Sequence, residues 1–162
     1  MKEKLIISLI LFVSFVSCSP RTRIQEKDVE EIVFYAMAKH IDFSHRMDTF
    51  QGVEREGADT LIQDRVFIQE FIGYINDLKP LGKEGPRDFR SAAVIRKRDQ
   101  SEIIVLFGEH FGTLYDNQDM IDNPLLFKFI DEKLYATQPE DYWWPEPFRT
   151  RLREMNDILT RD

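Results

Sequence analysis

The chain carries a single cysteine, Cys18, so no disulfide can form within it, and an exported domain must be held by its core alone. It has no apolar run of membrane-spanning length. The longest, residues 5–16, falls short of the roughly 17–25 residues that a transmembrane helix needs. It has no excess of positive charge either. Lys and Arg number 22 against 29 Asp and Glu, a net charge of −7 that repels a phosphate backbone and argues against nucleic acid as a partner. The one dense basic run, Arg96-Lys97-Arg98, lies beside Asp99 in a polar connection, where a solvated turn accounts for it. Glycine is scarce, at 7 residues, and the nucleophile-elbow, phosphate-loop and dinucleotide signatures are all missing. Gly108-Glu109-His110-Phe111-Gly112 has two glycines but joins two expected strands, with no helix N-terminus to hold a phosphate. There is no internal repeat and no low-complexity segment.

What is present begins at the N-terminus. Met1-Lys2-Glu3-Lys4 is a short, weakly positive start, residues 5–16 are apolar apart from two serines, and Val16-Ser17-Cys18 follows. A charged start, a short apolar run and small residues after it describe a secretory signal peptide. Ending in Ser17-Cys18, the stretch resembles the leader of bacterial lipoproteins, whose lipobox closes on a small residue and a cysteine. Phe15 stands where that family usually has leucine. The resemblance covers residues 1–20 and implies cleavage before Cys18 and lipid attachment to it, with fatty acyl chains such as palmitate anchoring an exported protein. One acyl chain holds a protein to a bilayer only marginally, and the family's modification supplies three. Ser19, in place of the aspartate that retains some members at the inner membrane, favours the outer membrane over the cell membrane. The domain then faces the periplasm or the cell surface.

The leader removes two lysines and one glutamate, so the net charge of −7 becomes −8. What remains is long enough for one domain with a real core. Of 13 Phe, only Phe12 and Phe15 leave with the leader. The expected organisation is a signal peptide over 1–17, the lipidated cysteine and a polar tether over 18–29, a folded domain over 30–135, and an aromatic, proline-containing strap with a final helix over 136–162.

Within the domain, residues 30–37 are rich in β-branched and aromatic side chains and predict a first strand. Residues 44–51 predict a weaker second strand, and 52–59 a charged loop. Residues 64–78 are the clearest helix: Asp64 caps it, and Ile68, Phe71, Ile72, Ile75 and Leu78 recur at three- and four-residue spacing. Residues 89–97, 102–107 and 111–115 predict three antiparallel strands joined by short connections. Residues 103–107 are apolar at every position, so that strand is expected to be central and covered on both faces, with Ile104 in the same core as Phe71. Asn123-Pro124 opens a helix with a capping side chain and a proline at its first position, and Leu125, Leu126, Phe129, Ile130 and Leu134 are its expected buried face. Phe148, Leu152, Met155, Ile158 and Leu159 keep helical spacing after Pro147. Together these predict an α+β fold, an antiparallel sheet of about five strands with helices packed on one face, plus a C-terminal helix.

Candidate chemistry is sparse. His40, Asp42 and His45 lie close in sequence, but their spacing fits no metal or hydrolase signature, and a solvated loop explains them. Asp116, Asp119 and Asp122, with Asn117 and Asn123, suggest calcium, yet Met120 and Ile121 interrupt the oxygens and the glycine of a calcium loop is absent. No catalytic residue, metal or cofactor is expected. Tyr142, Trp143 and Trp144, followed by Pro145 and Pro147, form the candidate contact surface for a protein or glycan. The prolines predict an extended segment, in which adjacent side chains point to opposite sides. One tryptophan is therefore expected to anchor the strap in the core and the other to be partly exposed. The function these features point to is a non-enzymatic envelope lipoprotein acting through surface contacts. The alternative is an inhibitor or immunity protein against an exported toxin or hydrolase, since negative charge speeds capture of a basic enzyme. An enzyme of unknown class is the outside possibility.

Overall fold

The structure, a computed structural model, describes residues 23–39, 45–108, 112–144 and 150. The leader with Cys18, the pair His40 and Asp42, and most of the final helix expected at 148–159 lie outside the described residues. Six antiparallel strands form one sheet, in the order β2-β1-β3-β4-β5-β6. They are β1 (Val29–Ala36), β2 (Ala58–Ile62), β3 (Ser91–Lys97), β4 (Glu102–Phe107), β5 (Thr113–Tyr115) and β6 (Gln118–Met120). The helices are α1 (Phe50–Glu56), α2 (Arg65–Asn76) and α3 (Pro124–Lys133). The fold is α+β. Because β3 pairs with β1 rather than with β2, α2 carries the chain across the sheet between β2 and β3.

The two longer helices cover one face. Asp64 accepts the Phe67 N–H at 2.8 Å and Asn123 accepts the Leu125 N–H at 3.0 Å, so both sequence caps form. Ile68, Phe71, Ile72 and Ile75 of α2 and Leu126, Phe129 and Ile130 of α3 pack onto Ile32, Phe34, Ala93, Ile95, Val105 and Phe107 in one core. Period-2 alternation sends the intervening residues to the opposite face. There α1, over 50–56, covers one end, with Val53 and Phe50 against Tyr35, Ala92 and Leu106. Residues 45–51 are therefore not a strand, and Ser44 lies outside the described residues. Thr49 accepts the Gly52 N–H and starts α1. The expected loop over 52–59 holds the rest of that helix and the start of β2. At their junction, a Cβ on Gly57 would stand 2.7 Å from the Val53 carbonyl, a clash that reserves the position for glycine.

Two apolar residues depart from the sequence reading. Leu125 is 62% exposed, on the solvent side of α3, and Ile104 is 38% exposed. β4 is central, but its first half is bare on the outer face. Leu61, Val33, Val94 and Ile104 form one cross-strand row there, bordered by Glu31, Arg96 and Glu102. Arg96 bonds both carboxylates, at 2.9 Å and 3.0 Å. Its hydrogen bond, with a second from Gln63, holds the Glu31 carboxyl below the ordinary glutamate range.

The aspartates that suggested calcium are structural. Asp116 and Asn117 adopt φ of 53° and 57° in the tight turn that joins β5 to β6, a left-handed conformation that Asp and Asn tolerate. Asp122 accepts a bond from the Thr113 hydroxyl at 2.8 Å. Asp119 takes a two-pronged bond from Arg87, at 3.0 Å and 2.7 Å, with its own side chain only 5% exposed. Those bonds hold the Asp119 carboxyl below the ordinary aspartate range, against the opposing pull of burial. A depressed folded value adds stability that is present above the unfolded value, about 3.9, and lost as pH falls through the folded one. Asp119→Asn is therefore expected to cost about 1–3 kcal/mol near neutrality, moderated because Arg87 reaches solvent. In urea melts as a function of pH, the gap between wild type and variant should close below about pH 4. A gap that stays constant down to low pH would show that the pair adds nothing through its charge.

Candidate functional site

The strap lies along the open edge of β2. Glu140–Trp143 is a 3-10 turn, not the extended segment that the prolines predicted; the prolines at 145 and 147 lie outside the described residues. The turn breaks the strict side-to-side alternation, yet the two tryptophans still separate. Trp143 is 2% exposed and packs with Tyr135 at 5.1 Å and Tyr142 at 4.8 Å between ring centroids, while Trp144 is half-buried. Trp143 thus leaves the candidate contact surface, which keeps Tyr142 and Trp144. The strap is fastened by its main chain and its phenol. The Trp143 carbonyl accepts the Ala38 N–H at 2.9 Å, and the Tyr142 hydroxyl donates to the Asp59 carbonyl at 2.7 Å, within 3.2 Å of the Thr60 hydroxyl. Tyr135 donates to the Met37 carbonyl beside it.

These bonds also fix which backbone groups of β2 stay open. Met37 gives its N–H to Arg90, ahead of β3, and Ala38 gives its N–H in the opposite direction, to Trp143. In an antiparallel ladder the direction alternates residue by residue. Ile32, Phe34 and Ala36 therefore face β2, and their partners Ile62, Thr60 and Ala58 face back. Asp59 and Leu61 point to the free edge. Tyr142 takes the Asp59 carbonyl. The Leu61 N–H and C=O project outward, and no hydrogen bond reaches them among the described residues.

Beside Leu61 a groove of about 450 Å³ opens between β2, α2 and α3. Ile62, Val66, Phe67, Phe129 and Leu134 give it an apolar wall, and Asp64, Glu70 and Lys133 give it a charged rim. Leu61 is 56% exposed and Val66 more so. The sequence reading missed this groove. Its signal was Val66, an apolar residue off the buried stripe of α2, next to Leu61, an apolar residue on the outward phase of a strand that begins in the expected loop over 52–59 and runs on through residues given no element.

Of the other candidates, His40 and Asp42 lie outside the described residues. His45 is exposed at the end of a loop. Among the described residues no group of three His, Cys, Asp or Glu is placed to hold a metal ion, and no helix is long and apolar enough to cross a membrane. No family model, no curated protein and no solved structure matches this chain.

Proposed function

We propose that the protein is a membrane-anchored envelope lipoprotein that acts without catalysis, by docking a polypeptide partner along the open half of β2. The observation that carries the reading is the Leu61 backbone. An outward N–H and C=O on a sheet edge are matched by another extended chain, which supplies the reciprocal acceptor and donor. The groove beside them offers a pocket for an apolar side chain, and Tyr142 and Trp144 extend the contact toward the strap. Natural edges are usually blunted by charge, proline or a covering segment. Here the strap covers one half of β2, and exposed Leu61 marks the other. The anchor at Cys18 is the resemblance carried forward, and it places such a partner at an envelope membrane.

A photo-crosslinking residue placed at Leu61 or Trp144 in intact cells tests this, with Ile121, exposed beyond β6 at the opposite edge, as control. The expected result is a discrete adduct with another protein at 61 and 144, none at 121, and loss of the adduct together with release to the soluble fraction in Cys18→Ser. Equal adducts at all three positions, or none, would remove the docking surface. A wild-type chain that fractionates as soluble and carries no fatty acid would remove the anchor.

A further inference from the structure

A second surface faces the point where the chain enters the domain. Residues 18–29 were expected to be a free tether, but the domain holds the chain from Ile24 onward. Ile24 is buried, and its N–H and C=O are both bonded by the Asn76 side-chain amide at 2.9 Å. Five residues lie between Cys18 and Ile24, a reach of roughly 20 Å when extended. Two residues past Ile24, the 3-10 turn Glu26–Asp28 forms the wall of a pocket of about 280 Å³. Lys27, Arg65 and Arg98 line it, with Glu26, Gln69 and the buried Ile68.

Of the other described arginines, all but Arg46 bond a carboxylate, and these three cations do not. Arg23, Arg55, Arg87, Arg90 and Arg96 each bond a carboxylate. Arg65 instead donates to the Val29 carbonyl at 2.6 Å and the Glu30 carbonyl at 3.3 Å, and Arg98 donates to the Lys27 carbonyl at 3.1 Å. Main-chain carbonyls fix where the guanidinium groups sit without cancelling their charge. Neither arginine, nor Lys27, forms an ion pair among the described residues. Against three positive charges the pocket lining carries one negative, Glu26. Arginine nitrogens held in place, with a lysine beside them, match the oxygens of a phosphate group.

We infer that the Lys27–Arg65–Arg98 pocket binds a phosphate group, and that this group is the headgroup of an anionic phospholipid. The pocket itself stands on the bonding above. The headgroup as the source rests on the anchoring reading, which holds this face within a short tether of the bilayer, where each basic residue adds to attraction for anionic lipid. The domain then sits with the start of β1 toward the membrane.

The test uses the full chain in neutral detergent micelles, with thermal midpoints read in three conditions: inorganic phosphate, micelles doped with phosphatidylglycerol, and sodium chloride of matched ionic strength. A ligand that binds the folded state raises the midpoint by mass action. Phosphatidylglycerol should raise it more than inorganic phosphate, and chloride should not. Arg65→Gln and Arg98→Gln also remove bonds to carbonyls, so Lys27→Glu is the decisive variant. Its ammonium makes no hydrogen bond among the described residues. It should weaken the apparent phosphatidylglycerol affinity by roughly fivefold or more, the factor for one lost cation. A shift with inorganic phosphate alone overturns the headgroup. A shift reproduced by chloride, or one that survives in Lys27→Glu, overturns the pocket, as does no shift at all. Fractionation of Cys18→Ser and crosslinking at Leu61 report on the anchor and the docking edge separately, so those readings fail independently of this one.

Discussion

Phe71→Ala should cost about 3–5 kcal/mol and move the urea midpoint further than any other apolar truncation on α2. Phe71 is fully buried, and its ring lies 5.8 Å from Phe67, 6.2 Å from Phe107 and 6.4 Å from Phe129, between centroids. It joins α2, α3 and β4 at one point. Truncation removes the transfer free energy of the ring, opens a cavity that three other rings cannot collapse into without leaving their rotamers, and severs pairs worth about 0.5–1.5 kcal/mol each beyond area. Domains of this kind have about 5–15 kcal/mol in total, so the variant should be close to unfolding at physiological temperature. Ile104→Ala is the matched contrast. Its side chain stands on the outer face of β4, away from this cluster, and should cost less than about 1 kcal/mol. If the two truncations cost the same, α2 does not pack on the face of β4 that carries Phe107.

That contrast also shows what the sequence could and could not say. Helical spacing from Ile68 to Leu78 gave the inner face of α2 directly, because a stripe at three- and four-residue spacing has only one side to bury. Ile103 to Phe107 gave no such phase. A strand that is apolar at every position conceals which residues face in, and Ile104 fell on the half of the outer face that α1 does not reach. Within the weak strand expected over 44–51 the deciding residue is Thr49, whose hydroxyl caps the first turn of α1. β6 was missed because it has only three residues; the turn before it, Asp116-Asn117, was legible as turn chemistry but was weighed against calcium. The groove beside Leu61 depends on β2 lying at the sheet edge. That is a matter of strand order, which no local pattern encodes.

Trp143 should divide sharply between two substitutions. Trp143→Ala should cost about 3–5 kcal/mol, since it empties the site that holds Tyr135 and Tyr142 in place. It should also loosen the strap, so amide exchange at Ala38, whose N–H is bonded to the Trp143 carbonyl, should quicken. Trp143→Phe should be nearly neutral, within about 1 kcal/mol. Among the described residues the buried indole Nε1–H of Trp143 has no acceptor, and an unmet buried donor costs about 1–3 kcal/mol. Phenylalanine removes that donor while keeping an aromatic face toward Tyr135 and Tyr142, which offsets the smaller volume. The same variant isolates Trp144 as the sole fluorophore. Trp144 is half-buried, so its emission should be red-shifted and open to quencher, whereas Trp144→Phe should leave the blue, protected emission of Trp143. Equal, protected emission from both variants would mean that Trp144 is no contact residue. Equal, red-shifted emission would mean that the strap does not anchor at Trp143, and the half-covered edge of β2 would lose its cover as well.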